Sequence, residues 1–240
     1  MIKPIQKLLD LYRLPFQVSQ TKDIAKNTLA LTAMEKLLSP GIFFPISSPS
    51  LEPNSLLQVV NDIIINQKSV VVEVGPGLST VVLCRLKKMN NLKFSFFAIE
   101  SNADWLSLIQ NQLKTEGLED MVQLIHAPLE PCPISFKPGY QWYSLPILDQ
   151  YFSSVSNIDL VLVDGPPAYE PRIQFSRYPA FPYFQKKLKS SYSFYLDDVH
   201  RKGETTILEA WSTLGGVASQ RLSNTFGVVA KDLPFVPFLL

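Results

Sequence analysis

Three groups of residues have the types and spacing that chemistry needs. The first is Val71-Val72-Glu73-Val74-Gly75-Pro76-Gly77-Leu78-Ser79-Thr80, a buried-strand run that enters a Gly-x-Gly turn and then a helix. Such a turn lets a ligand approach the backbone closely and offers it free amide donors at a helix N-terminus. It lacks the third glycine of the dinucleotide fingerprint and has an acid, Glu73, just before it. A pyrophosphate would face that carboxylate, whereas an ammonium or sulfonium would be attracted by it. The plainer reading is a tight strand-to-helix connection. The second group is Ala98-Ile99-Glu100, which puts an acid at the end of the next strand. Its distance from Gly77 is close to the roughly 20 residues expected of a carboxylate that binds ribose hydroxyls.

The third group is Asp164 with the pair Asp197-Asp198. All three follow predicted strands, on the side of an open α/β sheet where ligands bind. In the plain reading Asp164 helps to bind a ligand while Asp197 or Asp198 caps the next helix. His200, two residues beyond Asp198, is the candidate general base because its ordinary pKa is near neutrality; a surface histidine is the plain alternative. Arg201 could pair with a carboxylate or phosphate of a substrate, or be solvated.

The elements that must position these groups fall into two stretches. Up to Asn66 the pattern is helical, with Ile5, Leu8, Leu9 and Tyr12 at helical spacing, a looser run from Ile24 to Leu38, and a third helix beginning near Pro53. Residues 1–66 therefore read as a helical cap or lid. From residue 67 short apolar strands alternate with amphipathic helices. The strands are Ser69–Val74, Phe94–Ile99, Met121–His126, Ile158–Val163 and Ser191–Leu196, and Val217–Leu222 with Phe226–Ala230 form a closing pair. Continuous apolar strands separated by helices imply a mostly parallel sheet covered on both faces, and a pair joined by a short turn must run antiparallel. The expected fold is α/β and Rossmann-like, with seven strands.

With these motifs in place, the chain resembles the class I S-adenosylmethionine-dependent methyltransferases, whose patterns include an acid-x-Gly-x-Gly turn after strand one and an acid ending strand two. The resemblance runs from Ser69 to Asp232. It passes through His126-Ala127-Pro128 after strand three and Asp164-Gly165-Pro166-Pro167 after strand four, and it includes the closing hairpin. It implies that residues 67–240 form the S-adenosylmethionine-binding domain. Glu73, Gly75 and Gly77 would hold the methionine portion and Glu100 the ribose. His126 and Ala127 would lie near the adenine, and Asp164 beside the cofactor. In the catechol-type and macrolide-sugar-type O-methyltransferases, acids in the places of Asp164, Asp197 and Asp198 ligate magnesium. The resemblance thus implies O-methylation of a small polar acceptor, a sugar or related metabolite, with Mg2+ assistance and Asp164 as a catalytic residue; His200 stays the candidate base on its own chemistry. Those sugar-modifying relatives carry a histidine soon after the strand-four acid, where this chain has Gly165-Pro166-Pro167-Ala168-Tyr169.

That stretch also resembles the D/N-P-P-Y/F signature of amino-directed methyltransferases, interrupted here by Gly165 and Ala168. Other readings are a catalytically silent binding or scaffold protein of the same fold, and a nucleotide-binding oxidoreductase resting on the Gly-x-Gly turn alone.

Composition narrows the choice. Among 240 residues, 22 Lys and Arg balance 21 Asp and Glu, so no whole-protein field draws in a polyanion, and a nucleic-acid partner is not expected. Hydrophobic residues at 46% and charged residues at 18% describe a folding chain. Cys84 and Cys132 are too few for a disulfide framework or a cysteine zinc site and suit a reducing compartment. The sequence shows neither a signal peptide nor an apolar run of about 20 residues, so no membrane partner and a cytoplasmic location are expected. Self-association is left open. Proline is abundant, at 19 residues, and clusters in two aromatic-rich connections, one between Pro128 and Asn157 and one after strand four with Arg172, Phe175, Arg177, Tyr178 and Phe181. These are expected to wall the acceptor site with rings and a few cations, the plain alternative being a self-packed surface loop.

Overall fold

The computed structural model describes residues 21–46 and 50–238. The helix expected around Ile5 to Tyr12 lies outside them. Residues 21–33 are helical, and a turn at Met34 leads into a short helix, Glu35–Leu38. Helix α1 spans Pro53–Ile65, with proline at its first position, where no amide donor is required. Then follow β1 (Val70–Val74), α2 (Leu78–Met89), β2 (Ser95–Glu100), α3 (Ala103–Thr115) and β3 (Gln123–His126). The first aromatic connection carries β4 (Leu129–Pro131), β5 (Gln141–Tyr143) and α4 (Leu145–Phe152). Next come β6 (Ile158–Val163), α5 (Ala180–Phe184), β7 (Leu188–Leu196), α6 (Lys202–Gly215), β8 (Ser219–Arg221) and β9 (Gly227–Lys231).

Seven strands form one sheet in the order β3-β2-β1-β6-β7-β9-β8. The first five are parallel, and β9 is antiparallel to both β7 and β8. The closing pair is antiparallel, as expected. Its last strand inserts between β7 and β8, which sequence spacing alone does not reveal. Strands β4 and β5 pair separately, Leu129 opposite Tyr143.

Side chains alternate across this sheet into two cores. Val71, Leu160, Leu162 and Tyr195 face α1, α2 and α3, and the same core takes Ala30, Met34, Leu37 and Phe44 from the N-terminal segment. Val72, Val74, Val161, Val163 and Leu196 face α4, α5 and α6. The rings Trp142, Tyr143, Phe152, Phe181 and Trp211 are buried there.

The aromatic connections pack their rings on one another and on the sheet, as the self-packed alternative expects, but into the core instead of on the surface. Phe136 packs 4.6 Å from Phe175, and Phe152 5.2 Å from Phe184, centroid to centroid. Burying rings against a sheet face releases more water-exposed apolar area than displaying them, so these segments fold as part of the core. Tyr169 is one ring that stays outside, 69% exposed.

A buried polar knot ties α1 to Lys68, just before β1, and to β7. Asp62 accepts from the Tyr195 hydroxyl at 2.8 Å and lies 3.4 Å from the Lys68 ammonium. Lys68 also donates to Ser193 Oγ at 3.0 Å. With its C-terminal end fixed there, α1 begins just after Glu52, which lies close enough to Asp197 to disfavour that residue's charge. Among the described residues no helix is long and apolar enough to cross a membrane.

Candidate functional site

Parallel strands β1, β2, β3, β6 and β7 bring their carboxyl ends to one edge, and the sequence-selected residues collect there. Glu73 is fully buried at the end of β1. The Thr80 hydroxyl, three residues into α2, donates to Glu73 Oε2 at 2.6 Å and accepts the Gly77 amide proton at 3.0 Å. The other carboxylate oxygen, Oε1, makes no hydrogen bond among the described residues. Burial pushes the Glu73 carboxyl up to about 7, against the pull of the Ser79 and Thr80 hydroxyls. A group this poorly solvated gains most from a cationic ligand.

The turn itself divides its two glycines between different tasks. Gly75 has φ +92°, and a Cβ there would lie 2.5 Å from the backbone nitrogen of Gly165. Gly77 is different, since a Cβ built on it meets nothing within 4 Å. One glycine permits contact between the ends of β1 and β6; the other leaves room in front of the turn. Trp105 braces the turn from α3, its Nε1 donating to the Pro76 carbonyl at 2.8 Å, and its ring packs 6.1 Å from Phe44. Sequence reading passed over both Trp105 and Thr80. Thr80 stands in the quoted motif, and its place three residues after Gly77 is a readable capping signal.

Glu100 ends β2 beside His126 of β3. One of its oxygens accepts from the Ser101 and Asn102 amides, both at 2.6 Å, which fixes the side chain and leaves Oε2 for another partner. The His126 ring is held by Nε2 at 3.0 Å from the Ser101 carbonyl. Ala127 is buried and donates its amide to the Glu100 carbonyl at 2.8 Å.

Asp164, Asp197 and Asp198 come together as well, each offering an oxygen within 4.8 Å of the others. Between them lies Arg177, a residue singled out in sequence only as one cation of an aromatic connection. Its side chain is 4% exposed, with Nη2 3.4 Å from Asp164 Oδ1 and Nη1 3.0 Å from Asp198 Oδ2. Nε donates to the Pro166 carbonyl at 3.1 Å and Nη1 to the Asp197 carbonyl at 3.3 Å. Burial works against the charge on Arg177, and Asp164, Asp198, Glu204 and Asp197 outweigh it, so the guanidinium is held cationic.

Arg201 adds a second cation, 2.8 Å from Asp198 Oδ2. Glu204, in the first turn of α6, is fully buried and was also missed; its first-turn position reads only as a favourable helix start. Acids still exceed cations here. Burial lifts Asp164 well above the usual carboxylate range, with Asp197 adding to the effect and Arg177 opposing it. Asp197 is pushed up to about 7 by burial and then by Asp198, and its Oδ1 has no partner. Hard oxygen donors, a short mutual separation and one orphaned buried oxygen suit a divalent ion, although Arg177 already takes one oxygen from each of two carboxylates. His200 is exposed on the turn between Asp198 and α6.

A groove of about 470 Å³ lined by Lys87, Lys88, Lys93 and Phe94 opens near the start of β2, at the other edge of the sheet. Its lysines have acceptors of their own: Lys87 Nζ donates to the Met121 carbonyl at 2.8 Å and Lys88 Nζ to the Gly117 carbonyl at 3.0 Å.

This strand order, with a Gly-x-Gly turn and acids at the strand ends, defines the class I methyltransferase fold. Solved structures share it across nearly the whole chain. The O-methyltransferase from Bacillus cereus in complex with SAH matches with TM-score 0.53 at 14% identity, over 90% of this chain and 97% of that one. A Staphylococcus aureus protein assigned as a caffeoyl-CoA O-methyltransferase matches with TM-score 0.55 at 14% identity, over 92% and 98%. The METTL16 MTase domain matches with TM-score 0.53 at 17% identity, over 88% and 81%. No protein-family profile and no curated protein sequence matches the chain.

Proposed function

We propose that this protein is an S-adenosylmethionine-dependent methyltransferase acting on an oxygen of a small polar acceptor, a sugar or related metabolite. The observation that carries the reading is the open Gly77 turn flanked by two anchored acids, Glu73 and Glu100. Glu73, Gly75 and Gly77 would take the methionine portion, with the unpartnered Glu73 Oε1 facing its positive charge. The free oxygen of Glu100 would take the ribose hydroxyls. His126 and Ala127 would border the adenine.

The donor's sulfonium, when bound, supplies an already activated methyl group. The chain's own task is then to orient an acceptor hydroxyl in line and remove its proton. Asp164 is the proposed orienting acid beside both ligands, and His200, exposed at the rim, the proposed proton acceptor. Asp164, Asp197 and Asp198 would hold a divalent ion, Mg2+ by the hardness of the donors, which would favour the deprotonated hydroxyl.

Calorimetric titration with S-adenosylmethionine and S-adenosylhomocysteine tests the reading directly. Saturable binding of both is expected; no binding to folded protein would end it. Turnover on a panel of sugar and phenolic acceptors then separates transfer from a silent binding protein, and a chelator that leaves turnover unchanged would remove the ion from the proposal.

A further inference from the structure

We infer that Arg177 is a positioning residue that stands in for a divalent cation at the acidic cluster. It holds Asp164, Asp197 and Asp198 together in the metal-free protein and keeps any ion that joins them weakly held and exchangeable. The inference rests on the divalent-ion reading above.

Three carboxylates whose oxygens lie within 4.8 Å of one another repel unless a cation sits among them. The guanidinium does so in a fixed position. It reaches the carboxylates of Asp164 and Asp198 and the backbone carbonyls of Pro166 and Asp197, so it is tied to the chain after β6 and after β7 at once. A planar fork of donors can span these acceptors, whereas a single ammonium cannot. An arriving divalent ion would meet this charge already in place. It would find Asp198 Oδ2 shared between Arg177 at 3.0 Å and Arg201 at 2.8 Å, and Asp197 Oδ1 a buried carboxylate oxygen without a partner among the described residues. Both the repulsion and the occupied oxygens lower affinity for the ion.

The test is direct Mn2+ binding, followed by electron paramagnetic resonance on chelator-stripped protein at mildly alkaline pH, with no acceptor present. Wild type, Arg177→Met, Arg177→Lys and Arg201→Met are compared, and circular dichroism reports that each is folded. Weak binding is expected for wild type, with affinity about tenfold tighter or more in Arg177→Met. Arg177→Lys should return toward wild type, and Arg201→Met, at a one-third exposed guanidinium, should tighten binding by a smaller factor. A folded Arg177→Met that binds Mn2+ no more tightly than wild type overturns the inference while leaving the ion reading intact. If Arg177→Met does not fold, Arg201→Met must show the tightening, and its failure overturns the inference equally. Absence of Mn2+ binding in all four proteins removes the ion reading and the inference together. Loss of S-adenosylhomocysteine binding from wild type is a separate result, which speaks against the methyltransferase reading.

Discussion

Gly75 and Gly165 touch backbone to backbone: a Cβ on Gly75 would lie 2.5 Å from the Gly165 nitrogen, and one on Gly165 would lie 2.8 Å from the Gly75 α-carbon. Adjacent parallel strands β1 and β6 thus leave the sheet through turns packed against each other. Gly75→Ala combines this clash with a left-handed φ and should destabilise the fold by about 3 kcal/mol, measured by urea denaturation. Gly77→Val is the contrasting variant. Its side chain would enter open space, so the fold should survive while donor binding in the calorimeter is lost.

Glu100→Ala removes both the brace on the Ser101 and Asn102 amides and the oxygen left for a ribose. Donor affinity should fall by about tenfold to a hundredfold, equivalent to about 1.4–2.8 kcal/mol. Unchanged affinity would take Glu100 out of the donor site.

The raised pKa of Glu73 makes stability depend on pH. Its carboxyl has an ordinary value of 4.5 and is pushed up to about 7 by burial, so between these values the folded chain binds a proton that the unfolded chain has released. Stability from this group is therefore present at low pH and lost as pH rises through about 7. Asp197, also pushed up to about 7 from 3.8, contributes in the same direction. Denaturation midpoints should decline from about pH 5 to pH 8, and less steeply in Glu73→Gln. Binding of the cationic donor should show the opposite trend, strengthening as Glu73 ionises, and Glu73→Gln should flatten it.

Asp62 separates structure from function. Asp62→Ala would leave the Lys68 ammonium buried without its carboxylate and the Tyr195 hydroxyl unpaired, costing about 3–5 kcal/mol in denaturation experiments. Because the partners of Asp62, Lys68, Tyr195 and Asn66, are none of the proposed donor-binding residues, the folded fraction should bind the donor with wild-type affinity.

The chain order of the seven strands of the main sheet, the turn at Gly75-Pro76-Gly77 and the acids near the ends of β1, β2, β6 and β7 were readable in the sequence because each is encoded locally, whereas β4, β5, α4 and α5 inside the aromatic connections were not. Apolar runs, helical periodicity and turn residues report on neighbours a few positions away, and parallel strands carry whatever follows them to one edge. Tertiary structure alone decided what those residues meet there. Rings of the aromatic connections, Trp142, Phe152 and Phe181 among them, joined the second core because a sheet face was there to cover. The His126 ring went to the Ser101 carbonyl. The place of Arg177, 13 residues beyond Asp164 and 20 before Asp197, follows no spacing rule. It is fixed by the electrostatic demand of carboxylates that converge only once the sheet has formed.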